Sequence, residues 1–480
     1  MNKSLPLFLL FSVILIEGYV VLSTELLAIR QTIPFVGSGT DTLSIIIAAV
    51  LMPLAVGYHV GGQFTPGFQS GQYHSIRQKL LENLSIAQIF LLFGLSYYFL
   101  NMFFSTLLQN SIGNRFLLTS LYSGLFIVTP VYLLGQTIPL VSNYFSKERL
   151  AEVTGKMLFI STLGSFLGAV FTSVVLMSII GVHYTAVLSI AALSALITLL
   201  SRDRRSQVAL RSWGLAAFAL LINSGWVMSG FHIVENNQYN TVVAFETQDA
   251  RYLMLNGNSS SMLGHNGERH KYIEFMEKIA VAPVLDANPP KNILVIGSGG
   301  FTFGHLDHNN SYDFVDIDGS LKDIAETYIL KEKLAPNKHF HPVPARAYLS
   351  QNKTKYDVII LDAYLGGISI PEHLVTREFF QQVKDALNDR GVAVANFIAN
   401  PSFDDPFSRR IDSTWRAVFP FSSRHVIDDR YDLWVDGENN LVNAIYIYKK
   451  RDSENDKGIY TDNKNTLFLD KSKSVLISKP

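Results

Sequence analysis

Two aspartates and a glycine turn carry the chemistry this sequence offers. The stretch "NILVIGSGG" (Asn292–Gly300) reads as a buried strand running into a turn at Gly297 and Gly299. Glycine there lets the backbone approach a ligand and take up positive φ. Asp316, in "YDFVDID", follows about 20 residues later at the end of the next strand, where an acid grips a ribose diol. The competing reading is a tight turn and a helix-capping acid. Asp362 ends a third strand, "YDVIILD", and so points at the same carboxyl edge. A carboxylate in that place serves as a general base or a cation holder; the alternative is a cap on the following loop. The chain has no cysteine, which excludes disulfide frameworks, zinc ribbons and thiol nucleophiles.

The elements that must position these groups alternate along the chain. Asn292–Asp318 predicts strand, glycine turn, helix and second strand. The helix "SLKDIAETYIL", the strand "YDVIILD", the helix "TREFFQQVKDAL" and the strand "GVAVANFI" follow, with "SSRHVIDD" and "NAIYIYKK" near the end. Such alternation builds an α/β sheet with helices on both faces and its ligand at the carboxyl edge. Upstream, Gln238 to about Gly264 alternates with turn residues, and Asn256-Gly257 is a hairpin signal, so a small antiparallel sheet is expected. An amphipathic helix at Tyr272–Val284 links the two.

The first half has a different composition. Overall the chain is charge-balanced with 17% charged residues, but residues 1–230 are mostly apolar and residues 231–480 hold most of the charge. Apolar runs of about 20 residues span a bilayer, and they recur at Leu5–Ile29, Thr42–Gly61, Leu84–Phe104, Phe116–Leu140, Leu158–Ile180 and Tyr184–Leu200, with a weaker seventh at Trp213–Phe231. The first run is too long for a signal peptide and carries Glu17 and Glu25, which must face the bundle interior, a cavity or each other. One reading makes them a polar pathway or cation site; the other bonds them to Arg30 or to hydroxyls. Small residues in "STLGSFLGAVFTS" (Ser161–Ser173) suit close helix packing. Arg77 and Lys79; Lys147, Arg149 and Lys156; and Arg202, Arg204, Arg205 and Arg211 fall on one side, Arg115 being the exception. The positive-inside rule makes that side cytoplasmic. If the seventh segment crosses, the soluble part emerges on the outer face; if it lies in the interface, that part stays in the cytoplasm. The charge count favours the outer face.

From Gln238 to about Lys450 the sequence resembles the spermidine synthase (polyamine aminopropyltransferase) family. "YDVIILDAYLGGISIPEHLVTREFF" resembles its multi-spanning branch, as do "ELLAIRQTIPFVGSG" and "LAVGYHVGGQF" in the first half. The resemblance implies transmembrane helices over 1–231, a small β-domain with linking helix over 232–288, a methyltransferase-like Rossmann domain over 289–450 and a polar tail over 451–480. It implies transfer of an aminopropyl group from an adenosyl sulfonium donor, decarboxylated S-adenosylmethionine or S-adenosylmethionine, with release of methylthioadenosine and no metal. By position, Gly297, Gly299 and Gly300 fall in the donor-binding loop and Asp316 on the ribose acid. Asp362 falls on the aspartate that deprotonates the amine, and Tyr272 and Glu274 on a substrate-side Tyr-x-Glu, with Tyr239 placed beside them. Three family acids are absent: Gly300 stands where one holds the donor ammonium, Pro344 where one contacts adenine, and Leu365 where a second acid follows the catalytic one. A polyamine needs carboxylates to replace its lost hydration, so the departures bear on the substrate.

Three functions therefore stay open: the membrane-bound transferase, a lyase or cyclase in which the donor's own chain attacks, and a non-catalytic binding or transport protein. The expected partners are a lipid bilayer and a small amine or no acceptor, with a homodimer allowed. Nucleic acid is not expected, since no basic patch is present. The expected location is a bacterial inner membrane.

Overall fold

The computed structural model describes residues 7–69, 72–145, 150–201, 205–284, 287–365, 369–427 and 441–450. The basic residues Lys147, Arg149, Arg202 and Arg204 and the tail 451–480 lie outside them.

Six helices among the described residues are long and apolar enough to cross a membrane: Leu7–Val36, Thr40–Gly62, Arg115–Ser142, Glu152–Ile179, Gly181–Leu200 and Gln207–Gly230. The expected span Leu84–Phe104 is instead a helix Ile76–Leu95 broken by 63° from a helix Tyr97–Gln109. The break falls at Ser96, which has extended backbone angles between the two helices. The first helix also runs seven residues past its expected end at Ile29, to Val36. Glycine packing behaves as the small-residue run predicts: a Cβ at Gly164 or Gly168 would strike the Leu15 or Tyr19 carbonyl of the first helix. Glu17 is buried at 1% exposure in this bundle. Arg30 is not its partner, because its bonds go to Asn236, Asn237 and Thr241.

A short hairpin, β1 (Gly67–Gln69) and β2 (Gln72–His74), joins the second and third helices. After the last membrane-type helix comes a four-stranded antiparallel sheet, β3 (Ile233–Asn236), β4 (Thr241–Glu246), β5 (Ala250–Leu255) and β6 (Asn258–Gly264). The β5–β6 turn is Asn256-Gly257, both at positive φ, as the hairpin signal requires. The linking helix is Lys271–Ala280.

The large sheet has seven strands: β7 (Asn292–Ile296), β8 (Ser311–Asp316), β9 (Lys338–Pro342), β10 (Tyr356–Leu361), β11 (Leu387–Ala399), β12 (Ser423–Ile427) and β13 (Val442–Lys449), in the order β12-β13-β11-β10-β7-β8-β9. All are parallel except β13. Numbered along the domain this is 3-2-1-4-5-7-6, a methyltransferase-type mixed Rossmann sheet. Both faces are covered at the centre of the sheet, so β7 and β10 are near-continuous apolar runs. Along β7, Ile293 and Val295 face the linking helix and small sheet, while Leu294 and Ile296 face Phe380 and Trp415.

Two expectations need correction. The short edge strand β9, "KHFHP", is too polar to announce itself. More important for the site, no helix joins β7 to β8; the path from Gly300 to Asn310 is a series of turns. Asp307 draws it into a knot: Oδ1 accepts the Asn309 and Asn310 amides (2.9 and 3.2 Å), and Oδ2 accepts Asn310 Nδ2 (2.6 Å) and the Tyr312 hydroxyl (2.7 Å). Asx bonding of this kind competes with helical bonding. Phe301 and Phe303 anchor the start of the path in the core.

Candidate functional site

β7, β8 and β10 are adjacent and parallel, so their carboxyl ends deliver Gly297, Asp316 and Asp362 to one edge. The Gly297 amide donates to the Val315 carbonyl and the Asp362 amide to that of Ile296, both at 2.9 Å, which ties the three ends together. Gly297 has φ 93°, and a Cβ there would run into the Asp362 carbonyl oxygen. A side chain is therefore excluded twice, by conformation and by the neighbouring strand.

Asp316 is held by two backbone donors: the Ser298 amide reaches Oδ2 at 3.0 Å and the Asp318 amide reaches Oδ1 at 3.1 Å. Burial raises its pKa, those amides pull it down, and the net direction is up. Its carboxylate thus has a fixed pose at the cleft. Asp362 accepts a bond from Asn396 Nδ2 at 2.9 Å and one from Tyr272. Burial pushes its pKa up to about 6, against the opposing pull of those two bonds. A carboxylate tuned toward neutrality is suited to take a proton from an amine.

Gly297, Gly299, Asp316, Asp362 and Tyr272 line a single cleft of about 1040 Å³, its open mouth included. Much of the remaining wall is apolar, with Leu255, Val315, Leu374 and Ile398 among it, and Pro344 and Leu365 stand in it as well. Two of the three positions where the resemblance implies an absent acid therefore face the cleft as apolar groups. The third, Gly300, lies outside the lining. Its amide donates to Ser261 Oγ at 2.8 Å, and a Cβ there would sit 2.9 Å from the Ser261 Cβ. Tyr239 and Glu274 also lie outside the lining; Glu274 accepts the Arg269 amide at 3.0 Å, and the Tyr239 amide donates to Asn237 Oδ1 at 2.8 Å. Among the described residues no three His, Asp or Glu side chains gather as metal ligands.

Sequence reasoning passed over Asn396 and Asp318. Asn396 is a polar residue within the apolar "GVAVANFI", and that contrast was the available signal. Asp318 is the second acid of "DID"; it is 1% exposed and saturated with donors, from Asn237, Asn240 and Ser320.

This geometry defines a methyltransferase-type α/β domain whose ligand cleft lies at the carboxyl edge, between a glycine loop and two strand-terminal aspartates. Residues 273–427 match the model of the spermine/spermidine synthase domain, and over this stretch the chain is similar to that family. It is 32% identical over 203 residues to a polyamine aminopropyltransferase of Vibrio vulnificus, covering 38% of this chain and 64% of that protein. It is 28% identical over 197 residues to one of Saccharolobus solfataricus, covering 39% and 62%. The chain thus spans a little under two thirds of the length of these relatives. Among solved structures, a spermidine synthase from Thermotoga maritima is similar at 21% identity and a TM-score of 0.33, over 44% of this chain and 69% of that one.

Proposed function

We propose that this protein is a membrane-bound, spermidine synthase-like transferase acting on an adenosyl sulfonium donor. The carrying observation is the convergence of Gly297, Asp316 and a pKa-raised Asp362 on one cleft. Asp316 takes the ribose hydroxyls and the glycine loop lets the adenosyl group lie close. The acceptor nitrogen attacks the methylene carbon beside the sulfonium; the C–N bond forms and the C–S bond breaks. The sulfur keeps the electron pair and leaves as methylthioadenosine, and Asp362 takes the proton released by the amine. Gly300 is packed against Ser261 and sends no carboxylate into the cleft, so S-adenosylmethionine, which keeps its own carboxylate, joins its decarboxylated form as a candidate. The apolar Pro344 and Leu365 in the wall favour a second reading, lyase or cyclase chemistry in which the donor's own chain attacks and no acceptor is needed.

The assay is methylthioadenosine release by the purified full chain, given S-adenosylmethionine alone or decarboxylated donor with putrescine. Release from neither, together with no calorimetric binding, would sink the enzyme reading; release without amine selects the lyase. Asp362→Asn is expected to cut turnover by about 100-fold or more while methylthioadenosine still binds. Unchanged turnover removes the base assignment.

The proposed setting is a multi-pass protein of a bacterial inner membrane with the α/β domain on the outer face. What supports this is where the charge falls. Arg77, bonded to the Leu200 carbonyl, with Lys79, Arg205 and Arg211, lies at the bundle end away from the soluble domain. The exception to the charge count, Arg115, lies at the domain end and pairs with Asp41 at 3.2 Å. The seventh segment, Gln207–Gly230, starts among the basic residues and ends at β3.

A further inference from the structure

The first long helix does more than precede the soluble domain in the chain. Its carboxyl end is built into the wall behind the donor site. Arg30, 5% exposed, donates from Nε to the Asn237 carbonyl at 2.9 Å and from Nη2 to Asn236 Oδ1 at 3.4 Å and Thr241 Oγ1 at 3.2 Å. Its charge and that of buried Asp318 attract one another. Asn237 passes the contact on, its Nδ2 reaching Asp318 Oδ1 at 2.9 Å, and Asn240 Nδ2 holds Oδ2 at 2.7 Å. The Asp318 amide in turn is one of the two donors that fix the Asp316 carboxylate.

A second branch reaches the other side of the cleft. Asn256 Nδ2 donates to Asn240 Oδ1 at 2.9 Å and to the carbonyl of cleft-lining Leu365, three residues past Asp362, at 2.6 Å. The next residue, Gly257, sits so close to the helix end that a Cβ would lie 2.5 Å from the Pro34 carbonyl. One asparagine cluster thus bridges the bundle to the ribose acid and to the loop after the proton acceptor.

We infer that Arg30 and Asn240 are positioning residues for the adenosyl donor, and that the membrane-type bundle is part of the donor site. The inference rests on the functional reading above. Arg30 is not among the residues that line the cleft. It holds Asn237, which bonds Asp318, and Asp318 holds the turn that aims Asp316. Removing Arg30 leaves the buried Asn237 carbonyl without its donor and frees the segment whose Asn237 side chain holds Asp318, so the turn loosens. Asp316 then loses the amide at Oδ1, and the ribose loses a fixed acceptor.

The test is calorimetric binding of methylthioadenosine and S-adenosylmethionine to the full chain in detergent, with Arg30→Leu, Asn240→Ala and the double variant. Each single variant is expected to weaken binding about tenfold, the size of one charged hydrogen bond. The double variant is expected to lose less than the product of the two, since both act through Asp318. In turnover the donor KM rises and the acceptor KM stays. A protein that is merely part-folded shows fewer sites with the same Kd, so the two causes separate. Asn240→Ala leaves the bundle intact and decides the case if Arg30→Leu is not recovered folded. Variants that bind as tightly as wild type overturn this inference alone; a wild type that binds neither ligand overturns the functional reading, and this one with it.

Discussion

At the residue scale, Asp362 sets a pH signature. Its folded pKa, pushed up to about 6 by burial, lies above its ordinary value near 3.8. The folded protein therefore holds a proton that the unfolded chain releases between those values, and the site's contribution to stability falls as pH rises through that window. As a base the group must be ionised, so activity moves the opposite way. The acid limb of kcat/KM is expected near pH 6, and Asp362→Asn is expected to gain thermal stability over wild type on going from pH 4 to pH 7. An acid limb near pH 4 would show an unperturbed carboxylate. Gly300 makes a second prediction. Restoring the family's acid as Gly300→Asp is expected to cost about 1–3 kcal/mol by overpacking, read as a lower Tm, with no gain in donor affinity. Ser261→Gly in the same chain relieves the clash with the Ser261 Cβ. Tighter donor binding by Gly300→Asp alone would contradict this packing account. Asp316 and Asp362 were legible in the sequence because each ends an apolar parallel strand, where direction is set by the sheet. Closure of the Gly300 position was not, because the group that fills it, Ser261, comes from a strand 39 residues away.

At the element scale the sheet was legible and the first crossover was not. Apolar runs such as "NILVI" and "YDVIIL" specify buried parallel strands whatever surrounds them. Between β7 and β8 the sequence "FTFGHLDHNN" offers polar side chains that bond locally, and Asp307 outcompetes the helix there. One consequence is chemical: no helix N-terminus stands behind the glycine loop to favour an anion, which fits a cationic sulfonium donor better than a pyrophosphate. Another is mechanical, since this crossover keeps its shape through one carboxylate rather than a helical ladder. Asp307→Ala is expected to destabilise the domain by about 2 kcal/mol, seen as a Tm drop in detergent, and to weaken donor binding less than Asp316→Asn does. An unchanged Tm would mean that Phe301 and Phe303 hold the path unaided. The break at Ser96 was equally hidden, because hydropathy runs through it without interruption and only the extended backbone at Ser96 separates the two helices.

At the scale of the whole molecule, the proposed membrane setting raises the question of which side the cleft faces. The two bundle ends differ in charge and in what they touch. One end carries Arg77, Lys79, Arg205 and Arg211; the other carries the β-sheet domain, with Arg115 paired to Asp41. The positive-inside rule counts basic residues near helix ends, and on the proposed orientation that first end faces the cytoplasm. A chain whose first helix starts at the basic end and whose seventh segment ends at the domain then exposes its cleft outside. Alkaline phosphatase fused after Lys450 is accordingly expected to be active, and a fluorescent protein that matures only in the cytoplasm is expected to stay dark. The reverse result would refute the charge argument and put the cleft in reach of cytoplasmic adenosyl donors. The expected result has a consequence for the chemistry. An outward cleft draws only on donors that cross the membrane or arrive from outside, so methylthioadenosine release by intact cells should then depend on donor added to the medium. Release sustained by the internal pool alone would be incompatible with that orientation.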